Sequence, residues 1–525
     1  MTTTDVRGGH VDLGEPVRRL REIVGAEHVL TAGDERFGEF RDPFQPEQWD
    51  EHTPAVVVQP RTTEEIQQIV RLAAELGLAL WTNGQGRNNG YGGAGPRLRG
   101  SVTVNLRRMD RILELDEELG YALVEPGVSW LQLHAALRDG GHRLLLSVPD
   151  IGWGSVVGNS LDHGVTYLPL GADYAAPCGM EVVTADGELL RTGMGAVPGN
   201  PSWNLYKRGL GPSIDQLFMQ SNLGIVTKMG VWLQPSPEYL MPVHVVADDE
   251  RAIVGLVDTL RALKLDGTVT GTPCIFSTTS AAGMVSNRRD WWDDEGPVPD
   301  EVLDRVGREL GVGRWFLRLT LLGDGPVVDH HYGKVRAAFE ALPGVRVSGT
   351  KVTPEQAPGL EHPSDRVVTG VPSLDLVRMA EWNGGDTGGH VDFAPVVPLR
   401  GAETWEFIRT FKPMVNAAGL DFNLVVMAIS ARSGLYVSGS KFDTTDLAET
   451  RRAYETAREL IAEAGRRGYG VYRSHLHAMD LAAEQFSFND HAYLRFVEKI
   501  KDAVDPAGIL SPGKQGIWPR SMRDR

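Results

Sequence analysis

The sequence has only two cysteines in 525 residues, Cys178 and Cys274, and they lie far apart. Neither belongs to a CxxC pair, so we expect neither a disulfide framework nor a cysteine-ligated zinc site. Disulfides persist in oxidising compartments, and a chain with this cysteine usage is typical of a reducing one. The sequence therefore predicts a cytoplasmic protein.

Long apolar runs and an excess of positive charge are also missing. Nothing approaches the roughly 18 uncharged apolar residues of a transmembrane helix, and residues 1–16 lack the apolar core of a signal peptide. The formal net charge is −16, from 53 basic and 69 acidic residues, which disfavours binding to the phosphate backbone of nucleic acids. We expect no membrane partner and no nucleic-acid partner.

What is present is an ordinary globular composition, with 42% hydrophobic and 23% charged residues. A chain of this length is expected to form two or more domains. Short strands and glycine turns give way to longer helices and strands after Pro235-Ser236-Pro237, and a turn-rich texture returns at 505–514. We predict an α+β protein with a first domain at 1–236, an inserted domain at 237–467 and a return to the first domain at 468–525.

A β-α-β unit leads into the most informative segment of the chain. Residues 55–58 and 78–81 read as strands, and a capping box at 62–65 opens the helix between them, which Gly77 ends. The second strand delivers the chain into the glycine loop 84–94. Further strands are predicted at 102–104, 121–124, 180–183, 243–246, 315–322 and 422–429. Helices are predicted at 130–138, 253–263, 332–342 and 447–465, and an Asp-Gly hairpin turn at 185–188.

The loop 84–94 holds five glycines together with Arg87 and Tyr91. Backbone amides in such a loop can form an anion-binding nest, and Arg87 can add charge. The loop matches neither the phosphate-binding P-loop nor the dinucleotide fingerprint, and a bare glycine-rich loop is more often a surface turn. Two further small-residue clusters, 152–160 and 221–227, present the same choice between a ligand contact and a structural turn.

Two other segments suggest chemistry. His390 follows a run of glycines that would let its imidazole approach a ligand, and it precedes a short strand predicted at 391–393. Most histidines, however, are simply solvated or hydrogen-bonded. Tyr472 and Arg473 together suit an anion, since one donates a neutral hydrogen bond and the other carries a permanent charge. His475 and His477 lack an evident third ligand, so we predict no metal site.

Six ordered motifs together resemble the vanillyl-alcohol oxidase/para-cresol methylhydroxylase flavoprotein family, and within it the eugenol-oxidase-like 4-phenol oxidases of bacteria. The resemblance runs from about residue 40 to residue 518. The motifs are GRNNGYGGAGPRL (86–98), PDIGWGSVVGNSLDHGVTYLPLG (149–171), SNLGIVTKMG (221–230), NGGDTGGH (383–390), YGVYRSH (469–475) and DPAGILSPGKQGIW (505–518).

The resemblance implies a two-part FAD-binding domain with an inserted cap domain. It implies that His390 carries the flavin covalently, that Tyr91, Tyr472 and Arg473 bind the substrate phenol as phenolate, and that Tyr167 is an aromatic near the substrate. Asp150 would lie beside the flavin as the base. The remaining FAD contacts that we predict are Gly84, Gly86, Arg87, Asn88, Asn89, Gly90, Gly93, Pro149, Gly154, Ser155, Gly158, Asn159, Gly224, Ile225, Val226 and Lys514.

The implied reaction is the oxidation of a para-substituted phenol, such as a 4-alkylphenol, eugenol or vanillyl alcohol. A benzylic hydride passes to the flavin, a para-quinone methide forms and takes up water or loses a proton, and O2 is reduced to H2O2. Ala394 and Asp392 depart from the serine and glycine expected there, which points to an altered substrate pocket. Family members are dimers or larger, and a homodimer is expected.

Two alternatives stay open. The methylhydroxylase branch passes electrons to a cytochrome, but it attaches its flavin through tyrosine, so His390 favours the oxidase. A non-catalytic nucleotide- or flavin-binding protein would use the glycine loops alone.

Overall fold

The first sheet of the protein contains the strands of the predicted β-α-β unit. A computed structural model describes residues 2–4, 10–45, 49–171 and 174–523. The four strands lie in the spatial order Val29–Leu30, Val56–Val58, Val102–Asn105 and Leu80–Asn83. The last three run parallel, as a helical crossover between strands requires.

The crossover helix, Thr63–Leu76, begins and ends as its sequence predicts. The Thr62 hydroxyl accepts a hydrogen bond from the Glu65 N–H at 3.2 Å, and Gly77 ends the helix in the left-handed conformation. The predicted capping box is wrong in one detail. The Glu65 carboxylate accepts a hydrogen bond from the N–H of Arg61 and not from the N–H of Thr62. The strand after the helix is Leu80–Asn83, two residues later than predicted.

A five-stranded antiparallel sheet completes the first part of the chain. Its strands, in spatial order, are Leu189–Arg191, Pro177–Val183, Ile225–Trp232, Tyr121–Val124 and Ile112–Asp116. The hairpin predicted at the Asp-Gly turn is confirmed, since the first two of these strands pair across it. The helix Trp130–Asp139 packs its apolar side into the same core, and Ser129 and Gln132 form a capping box at its start.

The largest sheet has eight strands and provides one wall of the site described below. Its neighbours pair antiparallel, in the order Val345–Gly349, Tyr239–Ala247, Trp315–Gly323, Cys274–Ser277, Val425–Met427, Ser433–Asp443, Gly388–Pro398 and Val471–Arg473. The strand Val471–Arg473 follows the predicted domain boundary at 467, yet it pairs with the edge of this sheet.

The helices of the described residues cover these sheets. They are Gly14–Val24, Thr63–Leu76, Trp130–Asp139, Val156–Leu161, Ile253–Leu265, Thr278–Ala282, Asp300–Glu309, Gly325–Glu340, Pro363–Val368, Gly401–Ala417, Leu447–Arg466, Met479–Glu484 and Phe488–Val504. Short two- or three-residue strands pair at Thr2–Thr4 with His10–Asp12 and at Leu144–Leu145 with Gln234–Pro235. Ile253–Leu265 and Leu447–Arg466 agree with the predicted helices to within two residues.

Three predictions differ more. The helix expected at 332–342 begins seven residues earlier, at Gly325–Glu340, since Pro326 is tolerated in a first helical turn. The strand expected at 422–429 shortens to Val425–Met427. The short strand expected after His390 is the eleven-residue Gly388–Pro398, which contains His390 itself.

The chain returns to the first sheet near its end. Leu510 forms a parallel bridge with Leu80, and the Ser511 N–H donates to the Leu80 carbonyl at 2.8 Å. Ile509 and Leu510 are buried in the same core as the β-α-β unit. Residues that follow the inserted segment therefore help to close the first part of the fold.

Candidate active site

A cavity of about 190 Å³ lies between the β-α-β unit, the helix Val156–Leu161 and the segment 511–514. It brings the three small-residue clusters together, so they share one cavity and are not three unrelated turns. The predicted cofactor residues that line it are Gly84, Gly86, Arg87, Asn88, Gly93, Gly154, Ser155, Gly158, Asn159, Gly224, Ile225, Val226 and Lys514.

Glycine is required where these loops meet. Gly86 has a φ of 68°, which disfavours other residues. A Cβ on Gly84 would lie 2.7 Å from the Ser155 side chain, so the two loops touch through this position. The close packing leaves backbone amides as the cavity wall, and such a wall suits a phosphate group.

Some predicted side-chain contacts to a cofactor are already used within the protein. The Ser155 hydroxyl accepts from the Gly158 N–H at 2.8 Å and donates to the Pro126 carbonyl at 2.5 Å. The Asn159 amide donates to the Gly164 carbonyl at 3.0 Å. Arg87 stacks its guanidinium 5.1 Å from the Trp153 ring centre. Stacking leaves the N–H groups of Arg87 available, so the donors left for a pyrophosphate are the glycine-loop amides, the Arg87 guanidinium and the Lys514 ammonium, and this set fits a dianionic ligand.

A second cavity, of about 280 Å³, adjoins the first and shares Arg87, Asn88, Tyr91, Asn159 and Arg473 with it. The other predicted residues on its wall are Asn89, Pro149, Asp150, Tyr167, His390, Asp392 and Tyr472. The triad, the base and the histidine predicted from four separate motifs thus face one space.

Ala394 is placed elsewhere. Its side chain is fully buried, it pairs with Arg473 across the sheet, and it is not part of the wall of the second cavity. A contact between Ala394 and the substrate stays a prediction, and its small side chain lies next to Arg473 in the strand pair.

Arg473 is the central cation of one end of the second cavity. Its guanidinium donates to the side-chain amide oxygen of Asn88 and lies 3.1 Å from the carboxylate of Asp162. It also lies 3.9 Å from the centre of the Tyr91 ring. Burial would lower the pKa of Arg473, but Asp162 and the neighbouring tyrosines outweigh it and the pKa is raised. The buried Nε has no hydrogen-bond partner among the described residues, so one donor is left over.

Tyr91 and Tyr472 flank this guanidinium. Burial, reinforced by Tyr472 and Asp392, raises the pKa of Tyr91 well above its usual value. A tyrosine in this state keeps its proton and acts as a donor. The cavity end therefore offers phenol hydroxyls and a permanent cation to an anionic oxygen.

Asp150 lies on the cavity wall within another charged cluster. One of its oxygens accepts a hydrogen bond from the Tyr167 hydroxyl, and the other lies 3.4 Å from Arg318. The Arg318 side chain is completely buried, 4.5 Å from the Tyr167 ring centre. Burial and the nearby Asp150 raise the pKa of Tyr167, so this tyrosine also donates. Asp150 is held from behind and faces the cavity.

His390 lies against Gly90, at the junction of the glycine loop and the largest sheet. A Cβ on Gly90 would lie 2.4 Å from the imidazole Cε1, so only glycine permits this approach. The imidazole Nδ1 lies 3.1 Å from an Asp392 oxygen, which leaves Nε2 as the nitrogen free of that contact. Asp392 thus orients the histidine. From the sequence, the aspartate in place of the expected glycine had suggested only an altered substrate pocket.

Sequence reasoning missed four residues of the site. Asp162 anchors Arg473, Arg318 supports Asp150, and Lys441 and Asn423 line the second cavity. Asp162 lies inside a motif that the sequence singled out, so its charge was a usable signal. The others lie on strands or loops of the inserted segment, and only the pairing of distant strands brings them to the cavity.

The His475/His477 pair is part of a hydrogen-bonded chain. His475 contacts the buried Asp42 at 2.6 Å and His477 at 2.8 Å. Within the ranges that the structure describes, no group of three or more histidine, cysteine or acidic side chains could hold a metal ion. In those same ranges, no helix combines the length and apolarity needed to cross a bilayer.

Comparisons with known proteins identify the family of this chain. Residues 54–193 match the family described as an FAD binding domain. The chain is 35% identical to the 4-cresol dehydrogenase [hydroxylating] flavoprotein subunit of Pseudomonas putida, over 96% of each protein. It belongs to the vanillyl-alcohol oxidase/para-cresol methylhydroxylase family of flavoproteins. The two-part FAD-binding fold with its cap domain, expected from the motifs, is confirmed, and FAD is the cofactor.

Solved structures of this family share the fold over nearly the whole chain. A 4-ethylphenol oxidase from Gulosibacter chungangensis in complex with isoeugenol superposes with a TM-score of 0.91 at 36% identity, covering 97% of this chain and 98% of the other. A p-cresol methylhydroxylase with substrate bound gives 0.90 at 34% identity, covering 96% and 97%. One of these relatives is named an oxidase and another a dehydrogenase, so the family alone does not decide the electron acceptor of this chain.

Proposed function

We propose that this protein is an FAD-dependent oxidase of para-substituted phenols, with 4-alkyl-, 4-allyl- and 4-hydroxymethylphenols as its substrate class. The observation that carries this is the buried guanidinium of Arg473, whose Nε has no partner among the described residues and which lies between the hydroxyl-bearing rings of Tyr91 and Tyr472. A phenolate oxygen supplies the acceptor that this arrangement lacks. Both solved relatives carry names or ligands of this substrate class.

The first role of the triad is to ionise the substrate. A free phenol has a pKa of about 10 and is mostly protonated at neutral pH. A permanent cation and two hydroxyl donors favour the anion. Phenolate then pushes electron density to the para carbon, so a benzylic hydrogen can leave with its electron pair.

The second role belongs to Asp150. Loss of the hydride converts the phenolate into a neutral para-quinone methide with an electrophilic benzylic carbon. A water oxygen bonds to that carbon while Asp150 takes the water proton, and the ring oxygen regains its negative charge under Arg473. Alternatively, Asp150 removes a side-chain proton and an alkene forms. Tyr167 and Arg318 hold the carboxylate in place for both outcomes.

FAD supplies the hydride acceptor and passes the electron pair onward. We propose that His390 attaches it covalently at the 8α position, because the imidazole lies on the cavity wall, is oriented by Asp392 and has Nε2 free of that contact. Gly90 leaves the space for this approach.

We propose O2 as the final acceptor, with release of H2O2. The support is His390 as the residue that would attach the flavin, since by the resemblance the cytochrome-linked branch attaches its flavin through tyrosine. The second candidate is a dehydrogenase that passes electrons to a cytochrome, which the likeness to the Pseudomonas putida 4-cresol dehydrogenase flavoprotein favours. A non-catalytic flavin-binding role would not explain why the triad and Asp150 line the same cavity. A homodimer in the cytoplasm, and the eugenol-oxidase-like preference within the family, complete the proposal.

The decisive experiment mixes the purified holoenzyme anaerobically with 4-ethylphenol and follows the flavin absorbance, then admits air and measures H2O2. We expect rapid bleaching followed by stoichiometric peroxide. 4-Ethylanisole is the matched control, since its methylated oxygen cannot ionise, and it should not bleach the flavin. Bleaching without peroxide, with fast reduction of an added cytochrome, would establish the dehydrogenase instead. No bleaching by any phenol would refute both.

A further inference from the structure

One wall of the second cavity is a face of the largest sheet that carries both polar and apolar side chains. His390 pairs with Lys441 and Asp392 pairs with Gly439 in the antiparallel register. Residues directly opposite each other in such a pair place their side chains on the same face. Val425 pairs with Val437 on the next strand. The cavity wall accordingly contains alternate residues of three adjacent strands, at 390 and 392, at 437, 439 and 441, and at 425 and 427.

Lys441 is a cation on this wall with no direct partner. Burial lowers its pKa to about 8, against the opposing effects of Asp421 and Asp392. No described residue accepts a hydrogen bond from its ammonium or forms an ion pair with it at contact distance. The Nζ lies against Gly283, where an added Cβ would approach it to 2.9 Å. A buried cation in this state has donors to spare.

Asn423 supplies the complementary acceptor. It lies on the same cavity wall and only 3% of its surface is exposed. Its amide nitrogen donates to the Asp421 carbonyl at 3.1 Å, which fixes the orientation of the amide group. Its carbonyl oxygen is therefore directed away from that bond and has no partner among the described residues. Leaving such an atom unpaired costs about 1–3 kcal/mol, so a ligand that pairs it gains affinity.

Gly439 and Asp392 lie on the same cavity wall, opposite each other in the strand register. Gly439 has no side chain, and the Asp392 carboxylate lies over it, 2.6 Å from where a Cβ would lie. This part of the second cavity thus presents a spare cationic donor, an unpaired carbonyl acceptor and a carboxylate. The remainder of the cavity wall near it is largely apolar, with Val425, Met427 and Val437.

We propose that Lys441 and Asn423 form a second polar anchor in the phenol cavity, which binds a hydroxyl group carried by the substrate. This rests on the proposed phenol oxidation and specifies its substrate class. A hydroxyl accepts from the ammonium and donates to the Asn423 carbonyl or to Asp392, so it satisfies both kinds of unpaired group. A methoxy group only accepts, and a carboxylate adds a negative charge beside Asp392. The preferred substrates are hence phenols with a second hydroxyl, on the ring or on the para side chain.

The test compares matched phenols on the holoenzyme by anaerobic flavin reduction and by dissociation constants from flavin absorbance. The ring series is 4-ethylphenol with hydrogen, hydroxyl or methoxy at position 3. The chain series is 4-propylphenol, its terminal alcohol and its terminal carboxylic acid. Both readouts are independent of the final electron acceptor, and the second does not require turnover.

We expect the hydroxyl compound of one series to bind about tenfold more tightly than its hydrogen and methoxy or acid counterparts, and the series that shows this identifies where the hydroxyl lies. Lys441→Met and, independently, Asn423→Leu should each bring the ratio close to one. Lys351→Met, which removes an ammonium paired with Asp329 on the surface, should leave the ratio unchanged.

Other results overturn the inference in distinguishable ways. Equal binding of all compounds in both series, with normal flavin reduction, removes the second anchor and leaves the phenol oxidation intact. Tighter binding of the acid shows that the site selects an anion and not a hydroxyl. A hydroxyl preference that survives both substitutions assigns it to other residues. Failure of every phenol to reduce the flavin removes the proposed function itself.

Discussion

The two ends of the substrate cavity are built from the same pair of groups in opposite order. At one end Arg473 faces the cavity and Asp162 lies behind it. At the other, Asp150 faces the cavity and Arg318 lies behind it. Each buried charge is compensated by its partner, which limits the cost of burial. Reversing the pair gives the cavity a cationic end that stabilises an anion and a carboxylate end that can accept a proton.

The supporting partners also differ in how tightly they hold the residue in front. Arg473 is fixed by Asn88, by Asp162 and by the Tyr91 ring, yet keeps one free donor. Asp150 has both oxygens engaged, by Tyr167 and Arg318. The anion-binding end is therefore complete only when a ligand is present. The base end is organised in advance.

The largest effect is expected at the cationic end. Arg473→Met should lower the rate of flavin reduction by 4-ethylphenol by about 10²–10³-fold, the scale of a lost preorganised donor to a developing anion. The measurement is anaerobic stopped-flow absorbance. Arg336→Met, at an exposed arginine paired with Glu340, serves as the control and should behave as the unaltered protein. An unimpaired Arg473 variant would show that the phenol does not bind as an anion here.

At the opposite end, Asp150→Asn keeps the shape but removes the base. We expect product formation from 4-ethylphenol to fall by about 100-fold, within the usual range for general base catalysis. Product analysis by chromatography should show less alcohol and less alkene together. A different result would be slower flavin reduction with an unchanged ratio of alcohol to alkene. Asp150 would then act in hydride transfer and not as the base that follows it, which would contradict the proposed difference between the two ends.

A smaller loss should follow Tyr91→Phe. One neutral donor is removed while the cation remains, so we expect about a tenfold lower rate of flavin reduction, roughly 1.4 kcal/mol. The apparent affinity for the phenol should weaken in parallel. Tyr121→Phe is the matched control. It removes a hydroxyl that is hydrogen-bonded to Glu114 in the five-stranded sheet, outside the cavity wall. A rate equal to that of the unaltered protein would place the anion on Arg473 alone.

The smallest effect concerns Lys441, a cation in the same cavity without a carboxylate in contact. Its pKa is lowered to about 8, so the ammonium is charged below that pH and neutral above it. Asp421 and Asp392 are its charged neighbours. In the series that shows the hydroxyl preference, the affinity ratio of the hydroxyl compound to its hydrogen counterpart should therefore decline about threefold to tenfold as the pH rises through about 8. A ratio that does not change between about pH 6.5 and 9.5 would show that Lys441 is not the donor.

Much of this site could be predicted from the sequence because its loops carry strong local signals. The glycines around Tyr91, the YR pair at 472–473 and the glycine run before His390 are each constrained by backbone conformation or close approach. Such constraints restrict residue type along the chain itself, so they are visible without the fold. The helix after Thr62 was readable for the same reason.

What escaped prediction depends on strand pairing across long distances. The strand Ser433–Asp443 has the sequence SGLYVSGSKFD, without a regular apolar alternation, so its cavity-facing positions do not look like those of a core strand. Arg318 was hidden inside a predicted apolar strand, because its charge is compensated by groups from other segments.

The return of the chain at Leu510 has a consequence for how the protein matures. The Thr82 N–H lies 3.4 Å from the Ser511 hydroxyl, and Lys514 lines the same cavity as the glycine loop. A ribosome must therefore synthesise the whole inserted segment between the two walls of the cofactor cavity before either can meet the other. We expect FAD to load onto a finished chain, as a late step that joins its first and last elements. Cofactor supply would then act on the yield of mature enzyme and not on the early stages of its folding.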